Sequence, residues 1–194
     1  MNKRVSFALL LIAALQSSAQ GATGNLTVYA DADAIGFDHN SAGCGSSSFA
    51  SWAETTVVHS GSAAVAVSKL DNNGVGWQSL ATYSASSDYD GISFWINAGD
   101  IQTELTSLAI FDGSFTPHFL HLEDVYGASL PVNTWISFHI PFSSPFFVTA
   151  LSTPPETVRI ICLIDHSGDG QTKFFYLDDV MLTGADIFKS GFEN

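Results

Sequence analysis

The sequence predicts an all-β protein, an antiparallel β-sandwich, and three observations carry that prediction. From Asn25 onward the apolar residues come in short runs rich in Val, Ile, Phe, Tyr, Trp and Thr, the residues that suit a pleated, half-buried surface. Gly, Ser, Asn, Asp and Pro separate those runs, which is turn chemistry. No window holds helical spacing for three turns, so sheet must stack on sheet to bury the apolar faces.

Taken in order, the chain opens with Lys3 and Arg4, an apolar run from Val5 to Leu15, and small residues at Ser17 and Ala19. This pattern predicts a signal peptide over residues 1–19, cleaved after Ala19, and hence export. The run is too short to span a membrane as a mature helix, and no membrane insertion is expected. Strands are expected near Leu26 to Ala30, Thr56 to His59, Ala63 to Lys69, Val75 to Leu80 and Ile92 to Asn97. Further strands are expected near Leu105 to Asp112, His118 to Leu122, Trp135 to Pro141, Val158 to Asp165 and Phe174 to Thr183. Asp71-Asn72-Asn73-Gly74 contains the Asn-Gly pair of tight hairpins. Pro154-Pro155 and Ser167-Gly168-Asp169-Gly170 break the chain around the strand that holds Cys162. One sandwich domain is expected over residues 25–183, followed by a tail over 184–194.

The last strand carries the most chemistry. A period of two places Phe174, Tyr176, Asp178, Val180 and Leu182 on one face and Phe175, Leu177, Asp179 and Met181 on the other. Each face is apolar but for one aspartate, and an ionised carboxylate stripped of water is costly without a partner. Lys173 is the only basic neighbour. Either a cation sits there, calcium being the natural candidate, or both carboxylates fall at an exposed strand end. Asp31, Asp33, Asp38 and Asn40 offer further hard oxygen ligands. Their spacing matches no EF-hand loop, and a solvated acidic loop is the alternative.

Charge narrows the partners. Removing Lys3 and Arg4 leaves four basic residues against nineteen acidic ones, so phosphate backbones and anionic membranes are repelled and no nucleic acid is expected. Cys44 and Cys162 are the only cysteines. In an exported chain they are compatible with one disulfide; the alternative is two thiols, with Cys162 as a small core residue.

No G-x-S-x-G elbow, H-E-x-x-H, C-x-x-C or phosphate-binding glycine loop is present. Aromatic residues are the remaining candidates, since sugar rings stack on flat side chains. Trp77 has small neighbours in Gly74-Val75-Gly76-Trp77-Gln78, and Trp95 shares a strand face with Ser93 and Asn97. Taken singly, each reads more readily as core or edge packing than as a platform, and Trp52 and Trp135 read as more structural still.

In their order, VYADA, VVHSGSAAVAV, GWQSL, YDGISFWINAG, TWISFHIPF and FYLDDVML resemble the strands of a galactose-binding-like jelly roll. That β-sandwich serves many secreted carbohydrate-binding modules, and the resemblance covers about Leu26 to Thr183. It implies a structural calcium held by Asp178 on the last strand, by Asp31 or Asp33 early in the chain, and by backbone oxygens near Ser60 and Gly61. The expectation that follows is a secreted, extracellular or periplasmic, non-catalytic module for a neutral glycan, bound by Trp77, Trp95, Tyr83 and His121. An exported envelope or matrix protein that makes protein contacts is the alternative. A small glycan-cleaving enzyme would need two carboxylates about 5 to 10 Å apart in a cleft.

Overall fold

The computed structural model describes residues 24–39, 44, 50–68, 73–85, 87–100, 106–147, 154–165 and 174–184. The expected signal peptide, nearly all of the tail, Asn40, and the turn residues Asp71, Asn72 and 167–170 lie outside the described residues. In chain order the first strands are β1 (Leu26–Ala30), β2 (Ala32–Asp33), β3 (Phe37–His39), β4 (Ala50–Glu54), β5 (Ala64–Ser68) and β6 (Asn73–Ser84). Then come β7 (Gly91–Asn97), β8 (Thr106–Phe111), β9 (Pro117–His121), a single helical turn α1 (Leu122–Tyr126), β10 (Trp135–Pro141), β11 (Thr157–Asp165) and β12 (Phe174–Thr183).

These strands form two sheets. The larger runs β10-β7-β12-β1-β2, with β5 pairing β12 and β4 pairing β5; the smaller runs β3-β6-β11-β8-β9. Every described pairing is antiparallel. The main core lies between the sheets, where Ile92, Phe94 and Ile96 of β7 meet Val75 and Trp77 of β6 and Val158, Ile161 and Leu163 of β11. Among the described residues no helix is long and apolar enough to cross a membrane.

Three elements differ from the expectation. Residues 56–59 form no strand; the strand there is β4, whose two alanines and half-buried Trp52 make a weak period-two signal. The strand expected over His118 to Leu122 runs from Pro117 to His121, and Leu122 opens a helical turn closed by Gly127 at φ 81°. The third difference lies in β12, where a bulge falls between Asp178 and Met181 and Asp179 adopts φ 50°. The bulge shifts the alternation by one residue. Phe175, Leu177, Val180 and Leu182 therefore share the core face, and Asp178 turns to the outer face of the larger sheet.

The outer face of the smaller sheet is apolar as well. Ile160, Cys162 and Ile164 of β11 and Ala109 of β8 form a second buried cluster with Cys44. Cys44 and Cys162 are bonded, with Cα atoms 5.3 Å apart. The disulfide lies directly on β6, because a Cβ on Gly76 would run into the Cys44 sulfur and one on Gly74 would meet the Cys44 carbonyl. Glycine at these two positions lets the backbone of the early loop approach the strand.

Candidate functional site

The turn over residues 59–63 is held by carboxylates from the two ends of the chain. Asp178 accepts the backbone N–H groups of His59 at 3.0 Å and Ser60 at 3.1 Å, and its other oxygen accepts the N–H of Asp179 at 2.9 Å. Asp31 accepts the N–H groups of Ser62 at 2.6 Å and Ala63 at 2.8 Å. Gly61, at φ 63°, has room for no Cβ because that atom would strike the Asp31 carboxylate. The end of the stretch that reads as a strand, at His59, and the residues after it are thus pinned as a turn by groups roughly 30 and 120 positions away, and local propensity carries no trace of that.

Electrostatics at this corner follow from burial. Asp178 is 0% exposed, and desolvation pushes its carboxyl above the usual carboxylate range against the opposing pull of the Ser60, Asp179 and His59 amides. Exposed Asp31 is held below that range by the Ser62 and Ala63 amides. The Tyr29 hydroxyl, raised by burial and then by the charges of Asp178, Asp31 and Asp33, donates to the Trp52 carbonyl at 3.1 Å.

Beside the turn stands an aromatic ledge. Trp95 projects from β7 away from the core; its neighbours across the sheet are Ser137 of β10 and Asp178 of β12. The His59 ring lies on Trp95, with centroids 3.8 Å apart and planes 17° apart, and meets Trp135 edge to face at 5.6 Å. His59 Nδ1 faces Asp179 Oδ2 at 3.1 Å. Ser93, Ser137 and His139 occupy the outward positions around these rings.

A cation must be judged against these groups. Ligand atoms of His59, Asp178 and Asp179 all lie within 4.8 Å of one another, and the Ser60 hydroxyl is within 3.0 Å of Asp179. Arg159 is the only Lys or Arg among the described residues. It lies at Leu80 and Thr82 on the other sheet. Two adjacent carboxylates with oxygen-rich surroundings and one imidazole fit a divalent ion, although Asp31 is not in the group. Asp33 is a correction: its carboxylate accepts the Trp77 indole N–H at 3.0 Å and pairs with His39, so it serves the core and not the Asp178 corner.

The residues expected to bind sugar do not converge. Trp77 is 0% exposed, boxed by Tyr29 at 6.0 Å and Trp52 at 5.7 Å, and cannot be a platform. Its glycine neighbours, which suggested an open face, make room for the disulfide on the opposite side of β6. Tyr83 also packs inward, against Phe37 and Tyr89. His121 lies on the edge strand of the smaller sheet, paired with the Ser107 hydroxyl at 3.0 Å. Trp95 alone faces outward on the larger sheet, with one ring face covered by His59. Sequence reasoning missed His59 and Trp135 as its companions. The alternation in Trp135-Ile136-Ser137-Phe138-His139 does place Trp135 on the polar side.

The Ser60 hydroxyl donates to the Asp179 carboxylate at 2.9 Å and not to an imidazole, the geometry that activation requires.

No protein-family model matches the chain, and no curated protein matches its sequence. Among solved structures, a variant of a family 29 carbohydrate-binding module complexed with mannohexaose superposes with a TM-score of 0.50 at 7% identity, covering 84% of this chain and 94% of that one. The family 11 carbohydrate-binding module from Clostridium thermocellum, in complex with a β-1,3-1,4-mixed-linked tetrasaccharide, gives 0.45 at 17% identity over 85% and 98%. A β-1,2-glucanase from Parabacteroides distasonis gives 0.47 at 16% identity over 66% and 20%. The first of these likenesses shows a fold alone: this chain is an antiparallel β-sandwich of the jelly-roll kind.

Proposed function

We propose that the chain is an exported, non-catalytic module that binds a neutral glycan on the ledge formed by Trp95, His59 and Trp135. The observation that carries this reading is three stacked or edge-packed rings on the outer face of a sheet, ringed by Ser60, Ser93, Ser137 and His139. A sugar's C–H face would lie against Trp135 and the ring pair, with its hydroxyls directed to the serines and to Asp179. The formal charge of −13 disfavours anionic polymers. The mannohexaose on the family 29 module and the Cys44–Cys162 disulfide, a bond of oxidising compartments, support the glycan and the exported setting respectively. Stacking plus a few hydrogen bonds corresponds to Kd values from about millimolar to micromolar, roughly −4 to −8 kcal/mol.

A panel of neutral oligosaccharides, followed by calorimetry on the best binder, tests this. Trp135→Ala should weaken binding about tenfold or more without moving the melting temperature by more than a few degrees. Undiminished affinity in that variant, or no binder for the folded protein, refutes the ledge.

We also propose that a divalent cation, calcium by the predominance of oxygen donors, is held by Asp178 and Asp179 with Ser60. It would neutralise the paired carboxylates and tie the 59–63 turn to β12. Ligand at about 100 times its Kd adds roughly 2.7 kcal/mol of stability. Chelation should therefore lower the melting temperature of the wild type but not of Asp178→Asn. Identical wild-type melts in calcium and in chelator dispose of the ion. Protein contact, the second reading, is favoured by one feature: exposed Ile35 and Leu80 come together where the Leu80 N–H bonds the Gly36 carbonyl at 3.0 Å.

A further inference from the structure

The neighbouring strands β6, β11, β8 and β9 of the smaller sheet alternate in direction, so β6 and β8 end where β9 and β11 begin. At that rim an open cleft of about 390 Å³ is lined by Thr82, Asp112, Thr116, His118, Glu156 and Thr157, among others. Its size falls within the ~300–1,000 Å³ of small-ligand sites. The loop that forms one wall is locked. Asp112 accepts the N–H groups of Ser114 and Thr116, both at 2.8 Å, and the Gly113 N–H bonds the Thr157 hydroxyl at 2.9 Å. The locked loop holds Phe115 at φ 61° with its side chain 56% exposed. Bulky residues rarely adopt that conformation, and such outliers concentrate at functional positions. The second Asp112 oxygen faces buried His118 at 3.6 Å.

We propose that this cleft is a second saccharide site, taking the terminal unit of a neutral glycan. Hydroxyls, an imidazole and two carboxylates are the groups that read sugar hydroxyls. Among the described residues the lining holds no Lys or Arg but two carboxylates, Asp112 and Glu156, so phosphate or carboxylate ligands are disfavoured. The proposal stands apart from the ledge, which lies on the other sheet.

The test is a titration of the isotope-labelled full chain with methyl glycosides of glucose, galactose, mannose and xylose in the millimolar range. At least one should shift the backbone amides of Gly113, Phe115 and Thr157 along a saturating curve, and Trp135→Ala should leave those shifts in place. Glu156→Gln, at an exposed position, should bind several-fold more weakly. The proposal is overturned if none of the four probes moves these amides, if Trp135→Ala abolishes the shifts, or if Glu156→Gln binds as the wild type does.

Discussion

Removing the disulfide through the double substitution Cys44→Ala and Cys162→Ala should cost the domain most of its chain-entropy advantage. The cross-link joins residues 118 apart in sequence. With a loop-closure entropy of −2.1 − 1.5R ln n, that separation corresponds to about 4.9 kcal/mol at 25 °C. For a domain of this size each kcal/mol moves the melting temperature by roughly 2–4 °C, so a fall of about 10–20 °C is expected. The close approach of Gly76 to the Cys44 sulfur provides an internal control. Gly76→Ala should be strongly destabilising with the disulfide present and much less so in the double-alanine background, a coupling of about 1–3 kcal/mol. Calorimetric or circular-dichroism melts of the four proteins, with and without reductant for the wild type, give all the terms. A double-alanine variant within about 1 kcal/mol of wild type, or a Gly76→Ala penalty that is the same in both backgrounds, would refute the reasoning.

Two further outcomes follow from the core and from the buried acid. Trp77→Ala should destabilise by about 3–5 kcal/mol, since it empties a fully buried site and removes the donor to Asp33, and urea melts will show whether any loss of glycan binding is only loss of fold. Asp178 has a folded-state pKa raised above its unfolded value of about 3.9. The folded state then binds more protons than the unfolded one between those two values. Its contribution to stability therefore declines as pH rises from about 3.9 through the folded pKa. In metal-free buffer, wild-type stability measured relative to Asp178→Asn should fall across that window, and a rise would contradict the assigned cause.

Much of the scaffold is readable from the chain alone. β1, β10 and β12 have the expected ends because Gly, Pro, Asp or Asn punctuates them, and two cysteines can pair with each other in only one way. The failures have physical causes that lie far away in sequence. Thr56 to His59 has strand-like composition, but its neighbours Ser60, Ser62 and Ala63 give their amides to Asp178 and Asp31. The faces of β12 cannot be assigned from periodicity because one residue, Asp179 at φ 50°, shifts the count. Trp77 is misread for a different reason. Glycines beside a tryptophan have two possible uses, an open ring face or a close approach on the other side of the strand, and only the position of Cys44 decides between them. Trp95 is legible from its polar strand face. Its partner His59 is not, because a turn brings that ring across from outside the sheet.

The four tryptophans give the most direct test of glycan binding at the ledge, because each indole N–H yields its own resonance in the isotope-labelled protein. On titration with the best-binding neutral oligosaccharide, the Trp135 and Trp95 indole signals should shift together along one saturation curve. Trp77, sealed in the core with its N–H on Asp33, should stay in place. Saturable binding with the Trp95 and Trp135 signals unmoved would contradict the account and place the glycan elsewhere on the molecule.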